Sequence, residues 1–365
     1  MKGRKAVALG AIGLLLSAVL SGCWDQRPIE DRGALTAFAV DPGPRPGDYR
    51  YTFMFPNVTV TPTSLAQATQ PQFFDITVVA PTLDAALQRL QARQSRALYL
   101  GQVRLVVLST RLPAKAWYQT LDGIVESARM VLTFWVIGSR HAASVVSVAP
   151  ATEVVPEVAL YRALNCRCQP VAWNDRGWRS WVQSVTPGVS WWAPNAITHD
   201  HSFALDGMDV WSRRRVVEWP MSVTWGWAYV MGRVRKATIE VHLAHRVVVI
   251  GQVRAQSRLR LRTASRRVDA VDTISAEGIL VQGAIGLTEH RGTIAEIEHL
   301  AARQIARRAL LAIKAADAAG VDPFGWHREL RWTESSAGRD AGTKWAGWHV
   351  HVKVRFRVRS EGVLR

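Results

Sequence analysis

Trp348-His349-Val350-His351-Val352-Lys353-Val354-Arg355-Phe356-Arg357-Val358-Arg359 alternates strictly between apolar and polar side chains. His349, His351, Lys353, Arg355, Arg357 and Arg359 fall on one side; Val350, Val352, Val354, Phe356 and Val358 fall on the other. A period of two over this length predicts a long strand with one buried and one wet face. The pattern recurs in 252–262, where Arg254, Arg258, Arg260 and Arg262 oppose Val253, Leu259 and Leu261. Ile239, Val241 and Leu243 begin a third such strand, and 268–286 reads as a fourth, interrupted near Gly278. Residues 294–318 change period. Ile294, Ile297, Ala301, Ile305 and Ile313 make the apolar stripe of a helix, with Arg303, Arg307 and Lys314 outward. Gly320 closes it as a C′ glycine. A sheet with one apolar face needs a cover, and the long helix supplies one. The expected C-terminal unit is therefore two-layered α+β, an antiparallel sheet packed on a long helix.

Working toward the N-terminus, residues 34–41 and 49–55 are strand-like and flank a Pro/Gly cluster at 42–47. Residues 73–80 give a third strand. Thr82 caps a helix over 83–95, with Leu83, Ala86, Leu87 and Leu90 at helical spacing. A buried strand at 102–109, a helix at 114–128 and a strand at 132–138 follow. Between 165 and 200 the periodicity fades among five tryptophans, Pro170, Pro187 and Pro194, which reads as a linker or irregular lobe. The expected fold class is α+β with two to three consecutive mixed domains: 23–200, then 201–365, with 203–235 a candidate small middle domain.

The first 22 residues stand apart. Lys2, Arg4 and Lys5 precede an uncharged run from Ala6 to Leu20, and Ser21-Gly22-Cys23 follows. A cationic start and a short apolar run are the layout of a secretory signal peptide. The run falls short of the ~20 residues a membrane-spanning helix needs. Leu20-Ser21-Gly22-Cys23 matches the bacterial lipoprotein signal, in which the cysteine thiol takes a diacylglyceryl group after cleavage. The competing reading is an ordinary signal with a chance cysteine. Lipidation at Cys23 would hold an exported domain stably at a membrane surface, as one acyl chain alone would not. No transmembrane segment is expected in the mature chain.

Lys and Arg total 46 against 29 Asp and Glu, a net charge of +17 that falls to +14 once Lys2, Arg4 and Lys5 are removed. Such a balance favours an anionic neighbour. The cations Arg258, Arg260, Arg262, Lys353, Arg355, Arg357 and Arg359 form the candidate anionic-contact face, weighed evenly against a plain solvated surface. Nucleic acid is not the expected partner, because Trp348 and Phe356 fall on the other side of the last strand and cannot interleave with its cations. No GxSxG elbow, phosphate-binding GxxxxGK[ST], GxGxxG or HExxH occurs. Cys166 and Cys168 are spaced too closely for a zinc site and lack a second pair, so they read as two free thiols. His199-Asp200-His201 sits beside the expected boundary, and His349 and His351 share their face with four cations. No catalytic residue, metal or cofactor is assigned.

Cys23-Trp24-Asp25 with Arg27 resembles the mature start of the Ger(x)C spore germination lipoproteins, the GerAC-like C subunits of nutrient germinant receptors. Pro28 departs from their usual charged pair. Ala37–Asp41 is similar to the family's first strand, and Leu83–Leu90 with Gln94–Leu108 to its helix–strand unit, Gln102 standing where the family usually has His. Val155–Val158 and Leu205–Trp211 match further blocks loosely, while Asp322-Pro323-Phe324-Gly325 and the final strand with Glu361-Gly362 are sharper. The resemblance implies three α+β domains in a row and a non-enzymatic, lipid-anchored subunit. It would lie on the outer face of the inner spore membrane, a cytoplasmic membrane, beside two integral membrane A and B subunits, and be needed for the germination response. The alternative is a generic extracytoplasmic ligand-binding lipoprotein, which would need two lobes and a cleft; a lipid-anchored hydrolase would need a nucleophile–base pair.

Overall fold

A computed structural model of the chain describes residues 31–57, 72–127, 130–148, 155–166, 177–186, 189–199, 202–211, 216–244, 246–264, 267–283, 291–333 and 348–359, with 28, 153 and 345 singly. The signal segment 1–22, Cys23, Cys168 and the Glu361-Gly362 pair lie outside them.

The N-terminal half comprises β1 (Arg32–Ala34), β2 (Ala37–Pro42), β3 (Tyr49–Pro56), β4 (Phe73–Ala80), α1 (Leu83–Gln91), β5 (Ala97–Tyr99), β6 (Leu105–Ser109), α2 (Ala114–Glu126), β7 (Trp135–Ser139), α3 (Ala142–Ser147), α4 (Pro156–Asn165), α5 (Gly177–Val185) and β8 (Trp191–His199). Next come β9 (Ser202–Trp211) and β10 (Val216–Pro220). β1 and β5 pair in parallel as a small separate sheet. The main sheet runs β10-β9-β8-β7-β6-β2-β3-β4. Its centre, β2, β6, β7 and β8, is parallel, and both flanks are antiparallel.

Every residue of β6 and β7 is buried, as parallel strands covered on both faces must be. Alternation on β2 shows the two covers. Phe38 and Val40 pack with α1 and α2, whereas Ala37 and Ala39 pack with α3 and α4. α1 starts at the expected cap, where Thr82 Oγ1 accepts from Ala85 N at 3.2 Å.

The segment read as irregular between 165 and 200 instead holds α5 and β8. Trp191 and Trp192 hide the strand, because both neighbours are apolar and buried. Trp191 meets Trp117 and Trp211 (ring centroids 5.2 and 4.4 Å apart), while Trp192 faces the other way onto Trp227 at 4.3 Å. One strand thus feeds two cores, so no polar–apolar alternation survives. β8 and β9 pair from Trp191↔Trp211 to His199↔Ser202, so the main sheet takes in strands on both sides of the expected boundary at 200 and reaches Pro220.

The C-terminal sheet, β11 (Ala237–Leu243), β12 (Arg246–Ala264), β13 (Arg267–Gln282) and β14 (Trp348–Val358), is ordered as numbered. β11, β12 and β13 are antiparallel, as expected. β14 joins β13 in parallel, because the long helix α7 (Arg291–Ala319) carries the chain back to the end where β13 began. Helix α6 (Met221–Val230) packs on α7 so closely that a Cβ on Gly226 would sit 1.9 Å from the Arg308 carbonyl oxygen. β13 continues through Gly278 without interruption; the register shift lies opposite, in β12 between Gly251 and Arg254. Helix α8 (Trp326–Thr333) precedes the last strand. The core beneath the sheet joins Ile297, Ala301 and Ile305 of α7 to Trp227 of α6, and reaches back to Trp192, Met208 and Trp219 of the main sheet.

Candidate functional site

The expected cationic residues share one face of the C-terminal sheet, and all are exposed. The two strands that carry them are not neighbours. β13 lies between, giving transverse rows Arg262–Asp269–His349, Arg260–Val271–His351, Arg258–Thr273–Lys353, Gln256–Ser275–Arg355 and Arg254–Glu277–Arg357. Asp269 and Glu277 thus place acids at the two ends of a face whose own cationic strands carry none. Glu277 Oε1 is also 3.3 Å from Arg359 Nη1. The middle rows, from Arg260 to Arg355, hold cations and no carboxylate. Direct cross-strand repulsion is relieved because each cation on β12 faces a neutral or acidic residue on β13.

This face is not flat. A groove of about 1070 Å³ crosses it, walled by Arg235 and Lys236 on one side and Arg355 and Arg357 on the other, with Arg254 and Glu277 between; Cys166, at the end of α4, also lines it. Cys166 is disulfide-bonded and not the free thiol expected from the sequence.

A second polar site was not legible in the sequence. The chain leaves β6 toward α2 on one side of the main sheet and β7 toward α3 on the other, as the two separate cores show. Such a divergence opens a crevice at the carboxyl ends of parallel strands. A cleft of about 490 Å³ lies there, lined by Ser139, Arg140, His141, Asn195, Asp206 and Glu218. Arg140 Nη2 donates to Glu218 Oε2 at 3.0 Å, and Thr110 Oγ1 donates to Glu218 Oε1 at 2.9 Å. The loops are tied below: Ser109 Oγ and Arg111 Nε both donate to the Arg140 carbonyl, at 3.1 and 3.0 Å. Asp41, which ends the family-like first strand, accepts from Ala142 N and Ala143 N at 3.2 and 2.8 Å and so fixes the start of α3. At the cleft floor Asn195 Nδ2 donates to both oxygens of Asp209, at 3.0 and 2.8 Å. Burial pushes the Asp209 carboxyl well above the ordinary carboxylate range, against the opposing pull of Asn195. The Ser139 hydroxyl oxygen is engaged by the His141 N–H of the turn at 3.3 Å. The cleft offers hydrogen-bond donors and acceptors of both charges. The sequence signal that points to it is the repeated polar ending of an apolar strand, Ser109-Thr110-Arg111 and Ser139-Arg140-His141.

Asp322-Pro323-Phe324-Gly325 is a structural knot. Asp322 accepts from Phe324 N, Gly325 N and His327 N, at 3.2, 2.9 and 2.8 Å. Its own N–H donates to Ser190 Oγ at 2.8 Å, and Trp227 Nε1 donates to the Pro323 carbonyl at 3.2 Å. Phe324, Trp326 and Trp345 pack around it. Among the described residues no His, Cys, Asp or Glu group is placed to hold a metal, and no helix is long and apolar enough to cross a membrane.

Two family models match in order along the chain. The spore germination protein N-terminal domain covers residues 25–169, and the spore germination B3/GerAC-like C-terminal domain covers 213–362. A curated relative, spore germination protein KC of Bacillus subtilis (strain 168), is 24% identical over 170 residues. That match takes in 43% of this chain and 40% of the relative, so it spans less than half the length of either. The fold is similar to the crystal structure of the GerBC protein, with a TM-score of 0.60 and 13% identity, over 88% of this chain and 97% of that one. Both halves of the chain, each with its own domain match, place it in the GerAC-like family of spore germination proteins.

Proposed function

We propose that this protein is the lipid-anchored, non-enzymatic C subunit of a spore nutrient germinant receptor. The observation that carries the reading is one of position. The family match begins at residue 25, two residues after the cysteine of a lipoprotein-type signal. Acyl chains on Cys23 hold the protein at the outer face of the inner spore membrane, beside the integral membrane A and B subunits. β1 begins at Arg32, only nine residues beyond Cys23. A fully extended tether of that length reaches about 30 Å, so β1 and the small sheet it forms with β5 stay close to the bilayer and to its membrane partners. The candidate face of Arg258, Arg260, Arg262, Lys353, Arg355, Arg357 and Arg359 makes the anionic contact, and the exported domains act as an assembly subunit without catalysis.

Two measurements test this. Metabolic labelling with palmitate marks the wild type and not Cys23→Ala; equal labelling of both sinks the anchor. Affinity capture of the tagged chain from spore inner membrane brings down two integral membrane subunits; capture of the chain alone sinks the receptor role.

A further inference from the structure

We infer that the groove on the C-terminal sheet, with the edge of β12 from Arg258 to Arg262 that no described strand covers, receives an extended acidic polypeptide segment of a partner protein. This rests on reading the strand face as an anionic-contact surface and names the chemistry of what it contacts. Three observations converge.

The first is shape. A bilayer presents a plane of head groups, which touches crests and leaves hollows unfilled. Of the strand cations, Arg254, Arg355 and Arg357 wall a hollow of about 1070 Å³ that also takes in Gln256, two residues before Arg258 on β12. A chain segment fills a long open groove, and a membrane surface does not.

The second is spacing. Arg258, Arg260 and Arg262 occupy every second position of one strand, as Lys353, Arg355 and Arg357 do on β14. Alternate residues of any strand lie about 6.6–6.8 Å apart. Carboxylates at every second position of an extended peptide repeat at the same interval, so the two ladders match without strain. Arginine's planar fork takes a carboxylate through two parallel hydrogen bonds, so each rung of the ladder can hold one acidic side chain.

The third is the edge. β11 pairs with β12 only from Leu243↔Arg246 to Ala237↔Val253. Among the described residues, no strand covers the outer edge of β12 from Arg258 to Arg262. A long open edge is a template for an added strand. Its arginines repel a second copy of the same edge, and an acidic strand turns that repulsion into attraction. The sequence therefore admits one kind of strand and refuses another.

The test uses the full chain and a fluorescent peptide of alternating glutamate and threonine, followed by anisotropy. The peptide binds, its affinity falls as salt rises, and a glutamine-for-glutamate peptide does not bind. Changing Arg258, Arg260 and Arg355 together to Gln weakens binding at least about tenfold with an unchanged melting curve, since all three side chains are exposed. A glutamate peptide N-methylated at alternate backbone nitrogens, which cannot add to an edge, binds more weakly than its parent. Equal binding of both removes the edge from the proposal. Binding of phosphatidylglycerol vesicles that the triple variant abolishes, with no peptide binding, makes the face a membrane surface and overturns the inference. Binding to neither leaves it a solvated face. Palmitate labelling of Cys23 is independent of all these outcomes, so failure of the groove and failure of the anchor are told apart.

Discussion

His327 Nδ1 donates to Asp322 Oδ2 at 2.9 Å, in an interior where the two side chains are 1% and 5% exposed. The same carboxylate also holds three backbone N–H groups of the turn into α8. Removing it strands four donors, and each buried unpaired group costs about 1–3 kcal/mol. Asp322→Ala is therefore expected to cost at least about 3 kcal/mol, read as a lowered urea midpoint with an unchanged slope. Gly325, at φ +75°, predicts a smaller loss for Gly325→Val, about 1–2 kcal/mol, because a β-branched side chain strains that conformation. A normal melting curve together with failed germination would make the segment a contact site instead.

Helices α6 and α7 touch through Gly226. A Cβ there would sit 1.9 Å from the Arg308 carbonyl oxygen, which is backbone and cannot swing aside. Gly226→Ala usually helps an exposed helix by up to about 1 kcal/mol. Here the expected sign is reversed, with a loss of about 2 kcal/mol or more from forced separation of the helices. Thermal unfolding of the variant decides the sign, and a raised midpoint would show that the helices part at no cost.

Asn195 and Asp209 form the floor of the cleft, and Gly138 makes room for them: a Cβ at 138 would meet Asp209 Oδ2 at 1.8 Å. Asp209 is fully buried, and its carboxyl is raised by desolvation. Asp209→Asn keeps the shape and removes the cost of ionisation, so it should match or exceed the wild type in stability at pH 8. Asn195→Leu leaves the carboxyl without its donor and should cost about 2–4 kcal/mol. Denaturant melts of the two variants at pH 8 give that order; the reverse order would mean that Asp209 is ionised and held by its surroundings.

The ordering of clarity in the sequence follows the range of the interactions. β14 and the arginine half of β12 are legible because their patterns are local: Val350, Val352 and Val354 alternate with His351, Lys353 and Arg355 whatever lies beside them. α7 and the Thr82 cap are legible for the same reason. The place of β13 between the cationic strands is a pairing choice made across the long α7 crossover, and no local pattern encodes it. β8 escapes because Trp191 and Trp192 are both buried, each by a different core. The cleft escapes because Ser139, Asn195, Asp206 and Glu218 come from four separate segments that only the sheet order brings together. The Asp322–Gly325 block is legible as a family-like motif, whereas its tie to Ser190 is long-range and no local pattern encodes it.

Asp272 gives the stability of the fold a pH dependence. It sits fully buried between Ala270 and Ile274, where Ser257 Oγ donates to its Oδ1 and Oδ2 has no partner among the described residues. Burial pushes its carboxyl up from 3.8 to about 6, with the Ser257 bond opposing. A raised acid pKa means that the folded state holds the proton more tightly than the unfolded one. Below about pH 4 both states are protonated and the group is silent. Between about pH 4 and 6 stability falls as pH rises, and above 6 both states are ionised and the full penalty stands. A shift of this size corresponds to about 3 kcal/mol at 1.36 kcal/mol per unit. Asp272→Asn carries no charge at any pH and keeps an oxygen for the Ser257 hydroxyl. The variant should gain about 2–3 kcal/mol over the wild type at pH 7.5 and nearly nothing at pH 4. Chemical denaturation of both proteins at the two pH values isolates the group, because every other titration cancels in the difference. A gap between them that does not change with pH would place Asp272 in contact with water or a cation, and would end the argument for a buried, protonatable carboxyl beneath the basic face.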